Sequence, residues 1–150
     1  MGWFNYIGLV AVCAILVPNI IFAIKCKDGF NNVYNNKAVE TIEQVGRFSC
    51  FGFMVFNIPY TYFGFWFQNA FWIYVGVEAC LCAVYCIGWV VLWSKPGILR
   101  ALLLSITPSL MFMFGGIMLT NIPLICAAAI FAPAHILISY KNAAMPQSKE

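Results

Sequence analysis

Long apolar stretches, each about one bilayer long, recur along this chain and are separated by short polar gaps. That pattern leaves few folds open. About 20 consecutive apolar residues span the ~30 Å hydrocarbon core as an α-helix, whose backbone groups satisfy one another. Only 9% of the 150 residues are charged, against about 25% in a typical soluble domain. So few charges cannot cover a soluble surface of this size. The expected fold is all-α, a polytopic integral membrane bundle of five transmembrane helices forming one membrane domain over 1–150. The expected spans are 3–24, 37–58, 70–93, 98–119 and 122–140.

The basic residues set the orientation. Lys25, Lys27 and Lys37 fall between the first two spans, Lys95 and Arg100 at the third and fourth, Lys141 and Lys149 after the fifth. The opposite connections, Gln68-Asn69 and Thr120-Asn121, carry no Lys or Arg. The positive-inside rule puts the C-terminus in the cytoplasm and the N-terminus outside, which requires an odd number of spans. The expected location is therefore a cell membrane, multi-pass. The N-terminal run lacks a basic start and an Ala-x-Ala-like site, so it reads as a retained span. Asp28-Gly29 and the asparagines after it read as turn chemistry, and the tail from Ala143 as frayed.

Arg47 is the exception to the one-sided charge. The stretch ETIEQVGRFSCFGFMVFNIP (40–59) admits two registers. In one, the helix spans Arg47 to Phe67 and Pro59 kinks it. In the other, it spans 37–58 and stops at Asn57-Ile58-Pro59, and 59–69 is an aromatic segment at the outer interface. The second is favoured. Asn-Ile-Pro recurs at 121–123, where a helix must end, and a residue before proline disfavours helix. Lys37 to Asn57 is 20 residues and Arg100 to Asn121 is 21, each about one bilayer. Glu40, Glu43 with Gln44, Arg47, Cys50 with Phe51, Met54 and Asn57 share one face, with Ile42, Val45, Ser49, Phe53 and Phe56 opposite. A central Arg costs about 2.5–3.5 kcal/mol on insertion scales, which an i,i+4 pair with Glu43 offsets in part.

Glu78 lies about 5 Å outside the middle of its span and shares a face with Tyr74, Cys82 and Tyr85. An intramembrane carboxyl is a candidate proton or cation site, or else a group that locks helix packing. His135 sits in the inner half of the fifth span, where it can relay protons, pair with Glu43 or simply pack. Pro18, Pro108 and Pro133 interrupt spans and have Asn19, Thr107, Ser109 and His135 beside them. Gly115-Gly116 and the small stripe Gly76, Cys80 and Ala83 suit close helix packing.

The sequence holds no P-loop, H-E-x-x-H, G-x-S-x-G or Cys/His cluster. Its seven cysteines form no C-x-x-C and imply neither a disulfide framework nor a metal site. No catalytic residue and no cofactor is assigned, and an enzyme is the least favoured class. The leading expectation is binding or transport of a small solute or ion, coupled to protons, with Glu78 titrating. Asn19, Glu43, Arg47, Asn57, Glu78 and His135 are expected to form its polar intramembrane layer. The alternative is a helper or assembly subunit whose buried charges dock a partner. Expected partners are the lipid bilayer and a second copy or another membrane protein, not nucleic acid.

Overall fold

The computed structural model describes residues 2–26 and 33–145. Lys27, the Asp28-Gly29 turn and the tail from Pro146, with Lys149, lie outside the described residues. Five helices follow in order: α1 Tyr6–Lys25, α2 Lys37–Val55, α3 Ala70–Leu92, α4 Ile98–Met118 and α5 Ile122–Ala144. All but α2 are long and apolar enough to cross a membrane. The charged residues Lys37, Glu40, Glu43 and Arg47 dilute the apolar character of α2, although its 19 residues extend about 28 Å. No strand occurs among the described residues, only two isolated bridges.

The helices pack in a ring, α1 to α3 to α4 to α5 to α2 and back to α1, and α2 also touches α4. At α4 half of the apolar stretch is buried, against 28% or less in α1, α3 and α5. Large apolar side chains such as Val10, Phe48, Val90 and Ile130 face outward on the flanks. Close approach needs glycine at two crossings. A Cβ on Gly8 would lie 2.0 Å from the Met54 carbonyl oxygen, and one on Gly46 would lie 2.9 Å from the Phe131 Cβ. The Gly76, Cys80 and Ala83 stripe, expected to pack helices, faces outward instead, and a Cβ on Gly76 would meet nothing within 4 Å. The inward face of α3 is the one carrying Tyr74, Glu78 and Tyr85.

One end of the bundle is tied by asparagines. Asn5 caps α1 by accepting the Gly8 N–H, and Asn121 caps α5 by accepting the Leu124 N–H. The two Asn-Ile-Pro copies meet here, Asn121 Nδ2 donating to Asn57 Oδ1 at 3.3 Å and to the Phe53 carbonyl at 3.0 Å. Trp3 and Phe4 pair with the chain at Phe56-Asn57 rather than opening α1, which therefore starts at Tyr6.

Residues 59–69 form a strap across the α4–α5 turn. Gly64 N–H donates to the Leu119 carbonyl, Ile122 N–H to the Thr61 carbonyl, and Trp66 Nε1 to the Ile117 carbonyl at 2.7 Å. Tyr60 at φ 67° and Thr120 at φ 46° make the sharp reversals. Lys25, Lys37 and Lys141 lie at the other end, hereafter the basic end, where Asn142 Oδ1 accepts the Val33 and Tyr34 N–H groups.

Pro18 leaves the Ala14 carbonyl without its helical donor, and the Cys86 thiol donates to that oxygen at 3.7 Å from α3. This ties the inner part of α1 to α3 at its kink-prone turn.

Candidate functional site

The expected polar residues do not form one layer. Asn57 and Glu43 lie 14 residues apart on one stretch of chain, about 21 Å along a helix axis. They belong to opposite ends of the bundle, and the polar groups divide into two tiers.

The tier towards the basic end is built on Glu43, which α2 holds 2% exposed. Its Oε1 accepts Arg47 Nε at 2.9 Å and also Arg47 Nη2, while His135 Nδ1 lies 2.8 Å away. The ring of His135 stacks on Phe131 at 4.6 Å, so α5 fixes the imidazole against the carboxylate. Gly46 makes this possible by letting α5 approach the α2 backbone at Phe131. A buried carboxylate with two basic neighbours suits an ionised group whose desolvation cost is offset by its donors. Arg47 also acts electrostatically on Tyr85, whose hydroxyl donates to Asn19 Oδ1 at 3.0 Å. Asn19 Nδ2 donates in turn to the Ile15 carbonyl. The structure thus brings Glu43, Arg47 and His135 together, with Asn19 on the adjoining wall.

The second tier lies towards the asparagine end. Glu78 is 2% exposed, and neither carboxyl oxygen has a hydrogen-bond partner in the protein. Side chains on a helix lean towards its N-terminus, so Glu78 leans towards the asparagine end. It reaches the α4 backbone at Gly115, where a Cβ would lie 3.1 Å from Oε1 and from the Met54 sulfur. Tyr74 stands one turn before it. The Tyr74 hydroxyl accepts Asn5 Nδ2 at 3.0 Å, and Asn5 also donates to the Met54 carbonyl. Above Tyr74 lies the strap. Phe65 tilts against the Tyr74 ring at 5.8 Å, and the Tyr62 hydroxyl is buried without a partner. Burial pushes the Tyr62 phenol up, so it keeps its proton.

Between the tiers the packing is mostly apolar, although α4 also buries Ser105, Thr107 and Ser109, whose hydroxyls donate to carbonyls of their own helix. Cys50 is fully buried, Phe112 is 1% exposed, and Phe112 meets Phe131 edge-on at 5.8 Å. Two shallow grooves of about 270 and 350 Å³ run down the flanks, α2 against α5 and α3 against α4, and neither is lined by Glu43 or Glu78.

Asn5 and Tyr62 escaped the sequence reading. Asn5 carries a signal, since an asparagine just before an apolar run is an N-cap. Its second role, holding Tyr74 across the bundle, has no local trace. Tyr62 lies in an aromatic segment where nothing marks one ring as inward.

Comparison with known protein families, curated proteins and solved structures gave no match.

Proposed function

We propose that this chain is a five-span protein of a cell membrane, asparagine end outside and basic end in the cytoplasm, that binds and passes a proton within its bundle. Glu78 is the proton-binding residue. The observation that carries this reading is a carboxyl fully buried among helices with no donor or cation beside it. A structural carboxyl is normally paired, as Glu43 is, because an unpaired buried polar group costs several kcal/mol. Intramembrane acids of this kind mark proton and ion pathways. Support for α2 as the fifth span comes from its inward Glu43, Gly46, Cys50 and Met54 and its outward Ile42, Val45 and Phe48. The grouping of basic residues at one end supports the orientation.

The test is proton flux into proteoliposomes loaded with a pH-sensitive dye. Glu78→Gln is expected to abolish flux while the protein still inserts and elutes as the wild type does. Flux equal to wild type in that variant refutes the assignment.

The second reading, an assembly subunit, draws on the α2–α5 groove, whose floor of Gly46, Ser49 and Ala127 admits a close neighbour. If it holds, Glu78→Gln fails to accumulate or loses a co-purifying membrane partner.

A further inference from the structure

The two flank grooves differ in what they require of their surroundings. The α3–α4 groove is walled by Val77, Leu81, Leu110, Met113, Phe114 and Ile117, without a polar side chain. A lipid acyl chain satisfies that surface completely. The α2–α5 groove is different, because polar groups open onto it. Ser49 lies on its floor beside Gly46 and Ala127, half-buried. Thr41 and Ser109 show the usual state of a helical hydroxyl, each donating to the carbonyl four residues back. The Ser49 hydroxyl makes no hydrogen bond among the described residues.

The α5 wall supplies an acceptor. Cys126, Ile130 and Pro133 follow one another at i, i+4 and i+7, so they form one stripe, and all three are exposed. Pro133 has no N–H, which leaves the Ala129 carbonyl without its helical donor. At Pro18 the freed carbonyl is met by the Cys86 thiol. No side chain among the described residues donates to the Ala129 carbonyl, and Ala129 is exposed on the outer flank. An acyl chain can fill this groove but offers neither a donor nor an acceptor.

Donor and acceptor lie at one depth. The two helices run antiparallel, and Gly46 meets Phe131. Ser49 is three residues beyond Gly46 and Ala129 two residues before Phe131, so their levels differ by about 1.5 Å. The Ser49 side chain leans towards the start of α2 and the Ala129 carbonyl points towards the end of α5, and both directions are the basic end. Copies of one chain enter a membrane in one orientation. A two-fold axis along the membrane normal preserves depth, so it brings Ser49 of one copy level with Ala129 of the other.

We infer that a second copy of this chain docks on the α2–α5 groove about such an axis, each Ser49 hydroxyl donating to the Ala129 carbonyl of the other copy. Gly46 and Ala127 on the floor let the backbones approach closely enough for that bond. This rests on α2 being a membrane span, as proposed above, and not on the proton site.

The test is subunit counting by single-molecule photobleaching of the dye-tagged full chain, in vesicles of phosphatidylcholine at falling protein-to-lipid ratios. Wild type is expected to bleach in two steps until dilution separates it. Cys126→Trp fills the groove from an exposed position, which spares the fold, and is expected to move the monomer–dimer midpoint by roughly tenfold or more. Ser49→Ala is expected to move it by roughly threefold. Leu110→Trp, exposed in the other groove, is expected to leave it unchanged. Monomers at every ratio overturn the inference and leave the groove to lipid or to a different protein. A midpoint indifferent to Cys126→Trp, or moved as far by Leu110→Trp, overturns the assignment of this face. The span reading is checked apart, with Ser49→Cys in a cysteine-free background at the dilution that gives monomers. Reaction with an impermeant maleimide there overturns α2 as a span, and with it the ground of the inference. Protection together with monomers at every ratio overturns the second copy alone.

Discussion

Arg47 and Glu43 show how one pair decides whether a polar helix can lie inside a bundle. Glu43 is 2% exposed while the Arg47 side chain is 37% exposed, so the cost of separating them falls on the carboxylate. Breaking a buried pair costs about 3–5 kcal/mol, and the wet side of this one lowers the figure. Arg47→Gln is expected to destabilise the detergent-solubilised protein by about 2 kcal/mol, read as a fall in unfolding temperature. Glu43→Gln with Arg47→Gln is expected to recover part of that loss. Simple additivity of the two single changes contradicts the pairing. Gly8 gives a sharper contrast. Gly8→Ala puts a methyl 2.0 Å from the Met54 carbonyl oxygen and is expected to abolish accumulation, whereas Gly76→Ala points into open space and should be silent. Expression of the two variants side by side tests this. The Glu43–Arg47 pair was legible at i,i+4 spacing, and His135 was a named partner for it. Tyr62 was not legible, because its burial depends on where the strap lies, which no local pattern encodes.

Among the elements, α2 is the informative one. Its start was legible at Lys37, but it ends at Val55 rather than at 58, and Asn-Ile-Pro is no general stop, because the second copy opens α5 with Asn121 as its N-cap and Pro123 in its first turn. The end of α2 is instead set by tertiary ties, Asn5 N–H to the Val55 carbonyl and Asn57 N–H to the Trp3 carbonyl, which no local pattern encodes. The division of polar residues into two tiers was not read, although the 14-residue separation of Glu43 and Asn57 along one mostly helical stretch already required it. The small stripe on α3 misled because small residues suit both a helix contact and a lipid face. Two single-cysteine variants in a cysteine-free background check the placement of α2. With α2 in the membrane, Phe48→Cys resists an impermeant maleimide and Phe63→Cys reacts from outside. Labelling at 48 together with protection at 63 contradicts it. Asn121 serves α5 twice, as its cap and as the tie to Phe53 and Asn57. Asn121→Ala is expected to cost at least about 1 kcal/mol, the value of a cap alone, measured by thermal unfolding.

At the scale of the whole molecule, closure of the ring has a consequence for biosynthesis. The first two helices are made early, but α2 falls short of the apolar content that commits a segment to lipid by itself. What buries its polar face is α5, through His135 and Phe131, and α5 is translated last. Until α5 emerges, Glu43 has only Arg47, and the Gly46 backbone has nothing against it. If α2 is the fifth span, as proposed, it is expected to be a late entrant, held at the membrane surface while its neighbours insert and drawn in when the final helix arrives. A nascent chain arrested before residue 122 would expose α2 to protease on the ribosome side, and release of α5 would protect it. On that reading the carboxylate at position 43 times assembly, making membrane entry of the second helix conditional on completion of the fifth.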